Sequence, residues 1–64
     1  SDFDQIDRNI LHELESDGRI SNADLSRRVG LSPSASLRRV QELERTSVIT
    51  GYRAILDRSK LGVA

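Results

Sequence analysis

The chain has 64 residues, 36% hydrophobic, 3% aromatic and 31% charged, with a formal net charge of zero. That length admits one small domain and leaves no room for a second core. The absence of cysteine excludes disulfides, cysteine-type zinc fingers and thiol catalysis, and a single histidine, His12, excludes a histidine-rich metal site. No apolar run approaches the roughly 20 residues that cross a bilayer, and no signal-peptide pattern is present, so the chain reads as a soluble cytoplasmic domain. It begins at Ser1 without a methionine and stops at Ala64 just after Gly62, which reads as a piece excised from a longer protein.

The first apolar stripe is Phe3, Ile6, Ile10, Leu11 and Leu14, spaced three and four apart as on an amphipathic helix. Asp2 or Asp4 can cap its start, and Gly18 reads as its stop in the left-handed position. His12 falls on the exposed side of this helix. Ile20 to Leu25 form a start signal for a second helix near Asn22. Ser21 caps the Asp24 amide, the Asp24 carboxylate reaches back as in a capping box, and Ile20 and Leu25 close a hydrophobic staple. This helix spans about two turns, since Gly30 follows Val29. Ser32 and Pro33 then mark a third helix, with serine as cap and proline at the first helical position, which tolerates a missing amide hydrogen.

With Val40 as the centre of the third helix's buried face, Leu37, Leu43, Ser36 and Glu44 lie within about 60° of it. Ala35, Arg38 and Glu42 point away, and Ser34, Arg39, Gln41 and Arg45 lie on the flanks. From Val48 to Leu56 the residues become β-branched and aromatic, which predicts an extended segment, with Gly51 marking a bulge or bend. Asp57 to Ala64 reads as a connection.

Two short helices joined by a turn at Gly30, the second capped by Ser32, have the layout of a helix-turn-helix. Ser26 is small where the second helix must approach the third. The charge distribution points the same way: residues 1–24 carry −5 and residues 25–64 carry +5. Nine of the ten basic residues are arginine, whose planar fork suits phosphate and guanine edges. A capped third helix can enter a major groove about 12 Å wide and offer its first turn to base edges. Arg38, on the outward face, is placed to read a base, whereas Arg39, Arg45 and Arg53 are placed to hold phosphates. Ser34 suits base or phosphate contact; Ser36 shares the side of Val40, which leaves a polar group near the core as the other reading.

The stretches Ile6-Asp7-Arg8-Asn9-Ile10-Leu11, Asp17-Gly18-Arg19-Ile20-Ser21, Leu25 to Pro33, Arg39-Val40, Leu43-Glu44 and Val48-Ile49-Thr50-Gly51-Tyr52 resemble the N-terminal DNA-binding domain of the Lrp/AsnC (leucine-responsive regulatory protein) family. The likeness runs through nearly the whole chain without a gap. It implies a mainly α fold, a three-helix winged helix-turn-helix bundle followed by a short β segment as wing or hinge strand. The domain would occupy residues 1–56, and residues 57–64 would begin a linker to a C-terminal effector and oligomerisation domain. The resemblance also implies a prokaryotic transcription regulator that binds double-stranded DNA as a dimer or larger assembly. An amino acid or related small molecule would be sensed by the further domain, and this domain itself would use no cofactor.

The family's helix-turn-helix falls on Asn22 to about Gln41 and its recognition helix on Ser32 to Thr46. Ser36 stands where many helix-turn-helix domains have valine or cysteine. Together these readings make Asn22, Ser32, Ser34, Ala35, Ser36, Arg38, Arg39, Glu42, Arg45 and Arg53 the candidate DNA-contacting set. Two other classes remain: the helix-turn-helix part of a sirohaem decarboxylase-like enzyme, and a winged helix that binds protein. The first requires basic and histidine residues in a following domain, and the second predicts no salt-dependent DNA binding.

Overall fold

A computed structural model describes residues 4–62. Helix α1 (Gln5–Ser16) starts at Asp4, whose side chain accepts the Asp7 amide at 2.9 Å. The alternatives that involve Asp2 and Phe3 lie outside the described residues. Helix α1 ends differently from the reading of Gly18 as a left-handed stop. Asp17 leaves the helix in an extended conformation, and its side chain accepts the Arg19 amide at 3.0 Å while its carbonyl accepts from Ile20. This aspartate turn reverses the chain by itself, so Gly18 needs no positive φ.

Helix α2 (Asn22–Val29) is capped by Ser21, whose hydroxyl accepts the Asp24 amide at 3.1 Å. The reciprocal half of the capping box is not made, because the Asp24 carboxylate bonds Arg27 one turn on. Aspartate is one methylene shorter than the glutamate of a full box, and the neighbouring guanidinium is the stronger partner. Gly30 closes α2 at φ 74°, a left-handed conformation that glycine adopts without cost from a Cβ.

Helix α3 (Pro33–Arg45) begins on Ser32, whose hydroxyl accepts the Ala35 amide at 3.2 Å. It closes with Ser47 at φ 63°, and both the Val48 and Ile49 amides donate to the Leu43 carbonyl. Each helix contributes one buried aliphatic side chain to the core: Ile10 from α1, Leu25 from α2 and Leu43 from α3. Ile6, Leu11, Leu14, Ile20, Val29, Leu31, Val40 and Ile49 pack around these three.

The architecture is the three-helix bundle expected. Beyond it, residues 50–57 have no regular secondary structure, and no strand occurs among the described residues. A lone extended segment has no ladder to join, and Ile55 is 98% exposed. The connection after it contains a 3-10 turn, Arg58–Leu61, capped by Asp57, which accepts the Ser59 amide at 3.1 Å.

Candidate nucleic-acid interface

The buried side of α3 is set by Ser36 and Leu43, exposed by 0% and 3%, while Val40 is only half-buried. At 100° per residue the core therefore lies about 50° from Val40, toward Leu43. This rotation carries Leu37 out of the core to 46% exposure. Glu44, read as close to the buried face, is likewise exposed. Ser34, Arg38, Gln41 and Arg45 lie within about 30° of the direction facing away from the core, and all four are exposed. Leu37 and Gln41, outside the candidate set, are thus exposed on or beside this face. The small residue Ser36 at a close helix approach was the signal that could have placed the centre of the buried face correctly.

Ser36 must be removed from the contact set. Its side chain is fully buried and its hydroxyl has no hydrogen-bond partner among the described residues, so it cannot reach a ligand on the outer face. Ser26, the other buried serine, donates to the Ala23 carbonyl at 2.8 Å. Asn22 has a holding role: its Nδ2 donates to the Pro33 carbonyl at 2.8 Å and ties the start of α2 to the start of α3. Ser32 serves as the cap, with its hydroxyl 3.4 Å from that of Ser34, and Ala35 is half-buried beside them.

The arginines divide sharply. Arg39 turns away from the outer face toward α1, where its Nη1 lies 2.7 and 2.8 Å from the two Asp4 oxygens and 3.3 Å from Asp7. That pairing corrects the assignment of Arg39 as an open phosphate contact; in this structure it joins α3 to the start of α1. The Arg39 hydrogen bond, followed by the Asp7 amide, holds the Asp4 carboxyl below its usual range, and the two aspartates raise the arginine correspondingly.

Arg45 forms a two-pronged pair with Glu42, with Nε at 3.0 Å from Oε1 and Nη2 at 2.5 Å from Oε2. This lowers the glutamate's pKa and raises the arginine's. Arg38 and Arg53 are exposed and make no ion pair among the described residues. A shallow groove beside the outer face is lined by Asp7, Arg38, Arg39, Glu42 and Leu43.

Tyr52 anchors the segment that follows α3, donating its hydroxyl to Glu44 Oε2 at 2.8 Å. Burial of the hydroxyl first, and the Glu44 carboxylate second, push its pKa up to about 12. Its ring lies close to Gly18, where an added Cβ would meet Tyr52 Cδ1 at 3.9 Å, so the segment folds back over the α1–α2 turn. This placement brings Arg53 near Arg19 in one exposed depression.

A short helix tied at its start to a second, capped helix that carries a polar, arginine-bearing outer face defines a helix-turn-helix domain. The sequence pattern of the AsnC-type helix-turn-helix domain matches residues 3–44, and the chain belongs to that family. It is 62% identical over 56 residues to the leucine-responsive regulatory proteins of Escherichia coli K12 and Salmonella typhimurium, covering 88% of this chain and 34% of each relative. The chain thus spans about a third of the length of these relatives.

Among solved structures it is similar to a Neisseria meningitidis transcriptional regulator in complex with L-Met, with TM-score 0.90 and 41% identity over 92% of this chain and 38% of that one. It is also similar to Bacillus subtilis LrpC, with TM-score 0.89 and 42% identity over 97% of this chain and 44% of that one.

Proposed function

We propose that this domain binds double-stranded DNA as the reading head of a transcription regulator, with α3 in the major groove. The observation that carries this reading is the outer face of α3, where Ser34, Arg38, Gln41 and Arg45 line up beyond a capped and exposed helix start. Arg38, free of any ion pair among the described residues, can place its fork against a guanine edge, and Gln41, one turn on, can bond an adenine. Leu37 supplies apolar contact of the kind that recognises a thymine methyl. Arg53 reaches a flanking phosphate from the segment after α3, while Asn22 and Ser32 keep the two helix starts in the geometry the groove requires.

The reading extends to dimeric or higher assembly through a further C-terminal domain, with an amino acid as effector there. The L-Met complex of the N. meningitidis neighbour supports that effector class. Two such domains would require half-sites about 10 bp or a multiple apart.

Fluorescence anisotropy with random duplex DNA, across about 50 to 200 mM salt, tests the reading. Affinity should fall linearly in log salt. Arg38→Ala should cost about 1–3 kcal/mol and relax preference at one base, whereas Arg53→Ala should weaken all sequences alike and reduce the salt slope by about one. An Arg38→Ala variant with unchanged sequence preference would refute this placement of α3.

A further inference from the structure

We propose that Asp4, Asp7 and Glu42 are specificity-determining residues: their carboxylates hold Arg39 and Arg45 in ion pairs that DNA phosphate must displace, which suppresses sequence-independent binding. The inference rests on the DNA-binding reading above. Helix α3 carries three arginines, and two of them are already engaged by carboxylates of the same molecule. The Arg39 pair spans 35 residues of sequence to Asp4 and 32 to Asp7, so it forms only when α1 and α3 are docked. The Arg45 pair lies on the helix itself, and its two parallel contacts match the geometry a guanidinium would otherwise present to a phosphate.

Phosphate contacts supply most of the affinity that is blind to sequence, through the counterions they release. A phosphate that approaches Arg39 or Arg45 meets a carboxylate of its own sign and must replace it. That exchange is favourable only where the duplex is seated so that bases and phosphates are satisfied together; a poorly seated duplex is left with Arg38 and the uncharged side chains. The pairing gives three of the ten acidic residues a place as built-in competitors beside the groove lined by Asp7, Arg38, Arg39, Glu42 and Leu43.

The test compares Glu42→Gln and Asp4→Asn with Glu15→Gln. Glu15 is exposed on α1 and makes no ion pair among the described residues, so its substitution changes net charge equally and releases no arginine. Asp4 also caps α1, and asparagine keeps that cap because its side-chain oxygen still accepts the Asp7 amide. Glu42→Gln and Asp4→Asn should each bind random duplex about three- to tenfold tighter than Glu15→Gln, with a salt slope steeper by about 0.9. They should also elute from immobilised heparin at higher salt and select a shallower sequence preference from a random pool.

Equal duplex affinity, or equal heparin elution, for Glu42→Gln and Glu15→Gln overturns the inference, as does an unchanged sequence preference. If none of the proteins binds duplex while the heparin order holds, the carboxylates compete with polyanions as argued but the DNA reading, and with it their role in specificity, falls. Two variants at separate pairs keep the test open should one disturb folding.

Discussion

Ser36 offers a sharp test of the packing between the helices. Its hydroxyl is fully buried and unpartnered among the described residues, so folding strips it of solvent without a replacement hydrogen bond. Such a group costs about 1–3 kcal/mol. Removing it as Ser36→Ala leaves a gap of one oxygen, which gives back part of that gain, and alanine adds a few tenths of a kcal/mol, roughly, as the better helix former. The net expectation is a stabilisation of about 1 kcal/mol, read as a rise of about 4–8 °C in melting temperature for a domain of this size. Ser26→Ala is the matched control: also a buried serine within a helix, but one whose hydroxyl donates to Ala23 at 2.8 Å. Circular-dichroism melts of both variants at one pH should place Ser36→Ala above the parent and Ser26→Ala at or below it. Reversed order would show that the Ser36 hydroxyl is satisfied and that the reasoning about its burial is wrong.

Leu43→Ala should cost about 2–5 kcal/mol in urea denaturation, whereas Leu37→Ala should leave stability within about 0.5 kcal/mol and weaken DNA binding instead. A large stability loss at Leu37 would contradict the rotated face of α3. Ser47→Gly should stabilise by about 1 kcal/mol, because the residue sits at φ 63°, and Ser47→Val should do the opposite.

Tyr52 is the sole tyrosine and there is no tryptophan, so its ionisation can be followed by absorbance. Its midpoint should lie near 12, against an ordinary value of 10. Because the folded state favours the neutral phenol, this contribution to stability is complete below pH 10 and is lost between pH 10 and about 12. A midpoint at the ordinary value in a protein still helical would overturn both the burial of the phenol and its contact with Glu44. At the acid end Asp4, held below 3.8 first by Arg39, stabilises the fold above that pH and ceases to do so as pH falls through its lowered value. Asp4→Asn should therefore flatten the acid limb of the stability curve.

The elements that cap themselves locally were legible from residue types alone. Ser21, Ser32, Pro33 and Gly30 occupy the positions their chemistry demands, because a cap depends on neighbours three or four residues away. What could not be read locally depends on which side chain meets which across the bundle. Val40 was the natural centre of α3 by hydropathy, but the close fit of small Ser36 beside Leu43 sets the face, and with it the exposure of Leu37 and Gln41.

The charge split along the sequence was read as a sign of a polyanionic partner, and part of it is internal neutralisation. Asp4 and Asp7 meet Arg39, and Glu13 meets Arg28 at 3.2 Å. The segment after α3, expected to be extended, has no partner strand among the described residues, since β-branched residues favour an extended chain but cannot supply the second strand of a ladder.

The division of the core into one buried aliphatic side chain per helix has a consequence for how the domain opens. The three buried side chains form one cluster, so withdrawing any helix opens the interior of the other two. The slowest-exchanging amides of α1, α2 and α3 should therefore share one opening free energy.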